Sequence, residues 1–357
     1  TFKPLGAIIA LDEGLITPSY GYNCFGYYGA CGDPRKCEHH NAGHAANLQL
    51  ALANSCNSYF LQVFRMAIDN PKYRNAKTGY LKWKEYMNSF GFGRKLGVDL
   101  PSENKANIPD TARYNKDFGN PRYWNSCYML TLGIGQDRMT ATPLQLANSM
   151  AFIANEGYYY TPHFVDSIED ENEEDAALLE NFRKKQQVTN IPKEYFQAIK
   201  EGMHDVTVYG TAKGLTVPGH EFCAKTGTAQ NPHGENHSIF VCFAPKDNPK
   251  VAVAVVVENA GYGATWAGPI STLLMEKYLN DTLSSASKQK SEELSNKDLM
   301  PSSIKEWYER NKVERMNEVE EYKNDELGDV WNMEMVADYK PIIKKLAPDT
   351  IRKEADT

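Results

Sequence analysis

The chain predicts a mixed fold of the α/β (α+β) kind, a mainly antiparallel sheet flanked by helices beside an all-helical lobe. Two observations carry this. Helical patterns recur between residues 3 and 206. Three strand-like runs then follow one another, Phe222–Ala229, Ser238–Ala244 and Val251–Glu258, before a last helical segment over residues 266–280.

Taken in order, Leu5, Ile8, Ile9 and Leu11 make an apolar stripe over residues 3–14, and Gly14 ends it. Lys3 then lies in the first turn of a helix. Residues 18–46 are rich in Gly, Cys, His and Tyr with little periodicity, so this loop needs some other source of order. Residues 47–68 read as helical with an interruption at Asn54-Ser55-Cys56-Asn57, and a further helix over 80–100 is marked for an end at Phe90-Gly91-Phe92-Gly93. Residues 101–121 read as irregular and exposed. Thr142 is placed to N-cap a helix whose first turn holds Pro143 and which runs to about Asn155, with Gly157 beyond it. Tyr158 to Ile168 reads as extended, with Tyr158-Tyr159-Tyr160 as strand packing, and Glu169 to Asp175 as an acidic surface insertion. A helix over Pro192–Val206 precedes a Gly-rich turn from Gly210 to Gly214. Val251 to Val257 is apolar on both faces, the pattern of a central strand. Asp247-Asn248-Pro249 supplies the turn before it.

At 357 residues the chain is expected to hold two domains, or one large domain with an appendage. We place the division at 1–281 and 282–357, with Ser284–Asn296 as a linker and one or two peripheral helices in a charged C-terminal extension. Hydrophobic residues make up 41%, enough for a sizeable core. The net charge of -7 argues against a nucleic-acid partner. No run approaches the ~18 apolar residues of a membrane span, and no signal-peptide pattern is present.

Three short motifs carry chemistry. The chain opens Thr1-Phe2-Lys3-Pro4, the end of a Ser-x-x-Lys pattern; Ser55-Cys56-Asn57 is Ser-x-Asn; and Lys225-Thr226-Gly227-Thr228 holds Lys-Thr-Gly. That order is the motif set of penicillin-binding proteins and serine β-lactamases. The nucleophilic serine is expected immediately before Thr1, which makes the chain a piece of a longer protein. Lys3 is the candidate base, made neutral by a second cation at Lys225. Ser55 is placed to relay a proton, and Asn57 to hold Lys3 and a substrate amide. Lys225 and Thr226 can grip a substrate carboxylate. Gly227 lets a ligand lie against the strand, and the Thr228 N–H can serve as an oxyanion donor.

With Ser58-Tyr59-Phe60, Ser89-Phe90-Gly91-Phe92-Gly93, Gly133-Ile134-Gly135-Gln136, Thr142-Pro143-Leu144-Gln145 and Ala229-Gln230 added to these motifs, residues 1–280 resemble the transpeptidase domain of class B penicillin-binding proteins. Within that class they look most like the penicillin-binding protein 2 family of cell elongation, in its Bacteroidetes form. The resemblance implies the penicillin-binding transpeptidase / serine β-lactamase-like fold, with a sheet left incomplete because the family's first strands precede the serine. It implies D,D-transpeptidase activity on peptidoglycan stem peptides without a catalytic cofactor, and inhibition by β-lactam antibiotics. It also implies a site on the periplasmic face of the inner membrane with an upstream anchor, and a RodA-type glycosyltransferase of the elongation complex as partner. The rivals are a serine β-lactamase and a non-enzymatic β-lactam sensor or cell-wall scaffold.

Seven cysteines, Cys24, Cys31, Cys37, Cys56, Cys127, Cys223 and Cys242, cannot all pair within the chain. Cys24, Cys37, His39, His40, His44 and Cys56 fall close together, a donor set suited to tetrahedral Zn²⁺ in a closed structural site. By the spacing of the resembling family, Cys24, Cys37, His44 and Cys56 are the favoured ligands, with His40 the alternative to His44. The competing reading is a Cys24–Cys37 or Cys31–Cys37 disulfide with surface histidines. Cys127, Cys223 and Cys242 read as small buried hydrophobes. His233 and His237 read as a solvated hairpin tip, with substrate contact the alternative. Trp266 suits core or cleft equally.

Overall fold

The structure is a computed structural model and describes residues 1–38, 41–118, 124–169, 173–188, 191–231, 234–302, 304–307 and 309–311. It falls into two units, Thr1–Lys297 and Asp298–Thr357. In the second, residues 304–307 and 309–311 are helical and Lys305 pairs with Asp298. The rest of the expected tail helices, with Tyr308, Trp331 and Tyr339, lies outside the described residues.

The first unit holds α1 (Lys3–Asp12), β1 (Tyr27–Tyr28), β2 (Arg35–Lys36), α2 (Leu48–Ala53), α3 (Asn57–Ile68), α4 (Ala76–Ser89), α5 (Thr111–Phe118), a 3₁₀ segment (Ser126–Ile134), α6 (Pro143–Ala154), β3 (Tyr158–Tyr160), α7 (Glu173–Arg183), β4 (Lys185–Gln187), α8 (Lys193–Val208), β5 (Cys223–Ala229), β6 (His237–Ala244), β7 (Val251–Val257), α9 (Ala267–Asn280) and α10 (Ser285–Ser295).

Most of α1 is buried, with Leu5, Ala7, Ile8, Ile9, Ala10 and Leu11 all inside the core. It packs against α3 and α8, which fixes its first turn, and so Lys3, in the interior. Asn47, Asn75 and Thr142 cap α2, α4 and α6 through side-chain oxygens. At α6 the Thr142–Gln145 pair forms a full capping box, and such a cap contributes about 1 kcal/mol.

The main sheet is antiparallel in the order β5-β6-β7. Side chains alternate between two cores, as the period of 2 requires. Cys223, Val241 and Phe243 join the core of the helical lobe, while Ala224, Phe240 and Cys242 pack with Ala267 and Met275 of α9. Val251–Val257 has the apolar pattern of a central strand, and among the described residues β7 pairs with β6. Its two apolar faces come from helices, since α6 packs against it as well as α9.

Four other segments depart from expectation. Residues 111–118, read as irregular, form α5, because Asp110 accepts from the Arg113 N–H and Tyr114 packs edge-on against Tyr80 and Trp124. Only Tyr158–Tyr160 of the extended stretch is strand, paired with β4. The acidic insertion leads into α7. The expected linker is instead α10, N-capped by Ser284 and tied to α9 by the buried Glu276 carboxylate, which accepts from Ser284 N (2.7 Å) and from the Ser287 hydroxyl.

Candidate active site

Lys3 is 5% exposed and spends its three ammonium hydrogens on the break between α2 and α3. Nζ donates to the Ser55 carbonyl (2.5 Å), the Ser55 hydroxyl (2.9 Å) and Asn57 Oδ1 (2.6 Å). The break has a local cause. Asn54 ends α2, its side-chain amide donating back to the Leu50 and His44 carbonyls, and Cys56 Sγ caps α3 by accepting from Tyr59 N. Ser55 between them is left-handed, φ 54°. That conformation costs a non-glycine residue about 1 kcal/mol or more. From it Ser55 offers both oxygens to one cation.

The Asn57 amide is held at its other end too, since Nδ2 donates to the Lys36 carbonyl at 3.1 Å. Lys36 ends the short ribbon β1–β2, which Tyr28 pins to α3 by donating to Gln62 Oε1 (2.8 Å). Cys37 and Cys56 follow and precede the two bonded residues. With Cys24 and His44 their ligand atoms all lie within 4.8 Å of one another, and all four residues are buried. His44 Nδ1 donates to the Asn41 carbonyl (2.7 Å), the contact that orients a ligating imidazole. The hydrogen bond with Cys37 and burial push the Cys56 thiol far up; a divalent cation reverses that, because thiols ligate as thiolates. His39 and His40 lie outside the described residues.

Cys31 is elsewhere, in a disulfide with Cys127. This corrects the reading of Cys127 as a buried hydrophobe, and it is neither of the disulfides weighed from sequence. Cys223 and Cys242 are buried thiols, as expected.

Lys225, on β5, is fully buried, with Nζ 3.4 Å from the Thr226 carbonyl and hydroxyl oxygens. Burial holds its ammonium well below the ordinary lysine range, and the charge of Lys3 adds to this. Burial also brings Lys3 down to about 8, against a smaller upward pull from Cys56, Cys37 and Glu38. The expectation that a Lys225 cation depresses Lys3 is therefore corrected. Burial is the larger cause in both.

Gly227 meets the start of the chain. A Cβ there would stand 2.8 Å from Thr1 Cγ2 and 3.2 Å from Ile239 Cβ, which is why only glycine fits. Across the sheet, a Cβ on Gly263 would come within 2.6 Å of the Gly227 carbonyl. Thr226 pairs with the Thr211 hydroxyl at 2.8 Å. Motif reasoning did not single out Thr211, Gly263 or the Lys36 carbonyl. Gly261-Tyr262-Gly263 is the one visible cue, a sign of close backbone approach. The other two act over long sequence separations.

The remaining candidates take structural places. His237 Nδ1 accepts from Asn259 N (3.1 Å). Tyr159 is buried and accepts from Arg94 (2.9 Å). Trp266 is half-buried at the start of α9. His233 lies outside the described residues.

Residues 1–276 match the penicillin binding protein transpeptidase domain. A peptidoglycan D,D-transpeptidase MrdA of Haemophilus influenzae is 32% identical over 79% of this chain and 44% of its own length. The chain thus spans less than half the length of the curated relatives it matches. Among solved structures, Pseudomonas aeruginosa PBP2 in complex with WCK 5153 aligns with TM-score 0.65 and 29% identity over 78% of this chain and 60% of that one. Helicobacter pylori PBP2 in complex with MreC aligns with TM-score 0.61 and 25% identity over 78% and 48%. Three motifs brought together on this fold agree with those matches: the chain belongs to the penicillin-binding protein transpeptidase domain family, in its class B penicillin-binding protein 2 branch.

Proposed function

We propose that this chain is the catalytic part of a peptidoglycan D,D-transpeptidase that crosslinks stem peptides during cell-wall elongation. The observation that carries the reading is the grip of Ser55 and Asn57 on Lys3, beside a buried Lys225. A serine preceding Thr1 is the nucleophile. Its hydroxyl adds to the carbonyl of a D-Ala-D-Ala bond as Lys3 takes the proton. The oxyanion is met by the Thr228 N–H and the serine's own N–H. The C–N bond breaks as Ser55 gives its proton to the departing D-Ala amine and takes one in turn from Lys3, which is thereby neutral again. The amine of a second stem peptide then attacks the ester and releases the serine. Thr226 and Lys225 recognise the substrate carboxylate.

Cys24, Cys37, His44 and Cys56 are proposed to hold one Zn²⁺. A three-sulfur, one-nitrogen set within a few ångströms fits a tetrahedral structural ion. When bound, it supplies order to the 18–46 loop and no catalytic step. We place the protein on the periplasmic face of the inner membrane, with an upstream anchor. Its partners there are a RodA-type glycosyltransferase and the elongation complex.

The test is an intact mass of the full protein before and after a β-lactam. A persistent adduct mapped to the residue before Thr1 is expected. Rapid drug loss without an adduct means a β-lactamase, and neither means a sensor or scaffold.

A further inference from the structure

The Gly-rich turn after α8 is built more tightly than a connecting loop needs. A Cβ on Gly210 would stand 2.3 Å from the Ala53 carbonyl, so the turn is pressed against the end of α2. That same carbonyl accepts from Thr211 N at 3.2 Å, and Ala212 N bonds back to Val206 O at 2.9 Å. The backbone of Thr211 is therefore clamped to the helical lobe, two residues before Ser55. Its hydroxyl reaches the other side of the cleft, 2.8 Å from Thr226 Oγ1 on β5. Both threonines are half-buried, so the pair is partly open to solvent.

A hydroxyl has one hydrogen to give. In a hydroxyl pair the direction of the bond decides which partner keeps a free O–H. When Thr211 donates to Thr226 Oγ1, the Thr226 hydrogen is free for an anion. That bond also polarises the Thr226 hydroxyl and strengthens its donation. Without Thr211, the Thr226 oxygen keeps only the longer contact from Lys225 Nζ at 3.4 Å.

We propose that Thr211 is a positioning residue for substrate recognition: its hydroxyl orients that of Thr226 toward the terminal carboxylate of the donor peptide, or the equivalent carboxylate of a β-lactam. The inference rests on the transpeptidase reading above, and it predicts a dependence on that carboxylate which a purely structural residue would not produce.

The test uses the full-length protein, with acylation rates for a β-lactam and for its methyl ester. Thr211→Val keeps the branched shape and removes the hydroxyl; Thr211→Ser keeps the hydroxyl. Thr211→Val should slow acylation by the carboxylate form about tenfold, as expected for a lost hydroxyl in a charge-directed chain. It should leave the ester rate unchanged, and Thr211→Ser should stay within about twofold of the parent. A melting curve accompanies each variant, and if Val lowers the melt, Thr211→Ala against Thr211→Ser gives the same contrast. An equal loss on both ligands, or no loss on either, overturns the proposal. An unsubstituted protein that neither ligand acylates overturns the transpeptidase reading instead.

Discussion

Replacing Cys31 and Cys127 together by Ser removes a crosslink that closes a span of 96 residues. In the chain-entropy account a loop of this size restrains the unfolded state by about 4.7 kcal/mol. Unfolding entropy scales at roughly 2 cal/mol/K per residue, so a unit spanning Thr1–Lys297 carries about 0.6 kcal/mol/K. Dividing the two gives a melting point lower by about 8 °C. The assay is calorimetry of the parent and the double variant under non-reducing conditions, with alkylation and mass analysis to count thiols. The parent should leave Cys31 and Cys127 unalkylated after unfolding. Full alkylation of both in the oxidised parent, or a double variant that melts with the parent, would refute the reasoning. A second readout follows from geometry. Cys31 lies between β1 and β2, and β2 presents the Lys36 carbonyl to Asn57. The double variant should therefore lose acylation rate as well as stability.

Three further outcomes are expected. Gly227→Val forces Thr1 and Ile239 away by roughly half an ångström or more, and misplacement on this scale should cut acylation by about 10- to 100-fold, read with a fluorescent penicillin. Asn57→Ala strips Lys3 of one acceptor and frees the Lys36 carbonyl, and should slow acylation by about 10²-fold at unchanged secondary structure, read by stopped flow with circular dichroism. Acylation should rise with pH and level off above about 8, as Lys3 loses its proton and becomes a base. The sign for stability is the same. Between about 8 and the ordinary lysine value of 10.5 the unfolded chain binds the extra proton, so the contribution of Lys3 to stability grows across that window in a pH-dependent melt.

The catalytic motifs were legible because each rests on residue types that acyl transfer needs, helices α1 and α3 because their apolar periods are local, and α6 because its cap is local as well. The break at Asn54–Cys56 was visible as an interruption, though not the left-handed Ser55 within it. What stayed hidden is tertiary. Cys31 and Cys127 are 96 residues apart, and no local pattern couples them. Thr211 sits in a turn whose glycines announce a bend and say nothing of a partner on β5.

Helix α10 sets where this protein can safely be shortened. Ending the chain near residue 281, where composition changes, would strip Glu276 of the Ser284 and Ser287 donors and uncover a carboxylate that is 2% exposed with α10 in place. Against the upward pull of burial, those donors hold Glu276 below the ordinary carboxylate range and so stabilise its ionised form. Ending it after Lys297 keeps both donors, so the shorter version should be the less stable of the two wherever Glu276 is ionised, with the difference fading as acid protonates it.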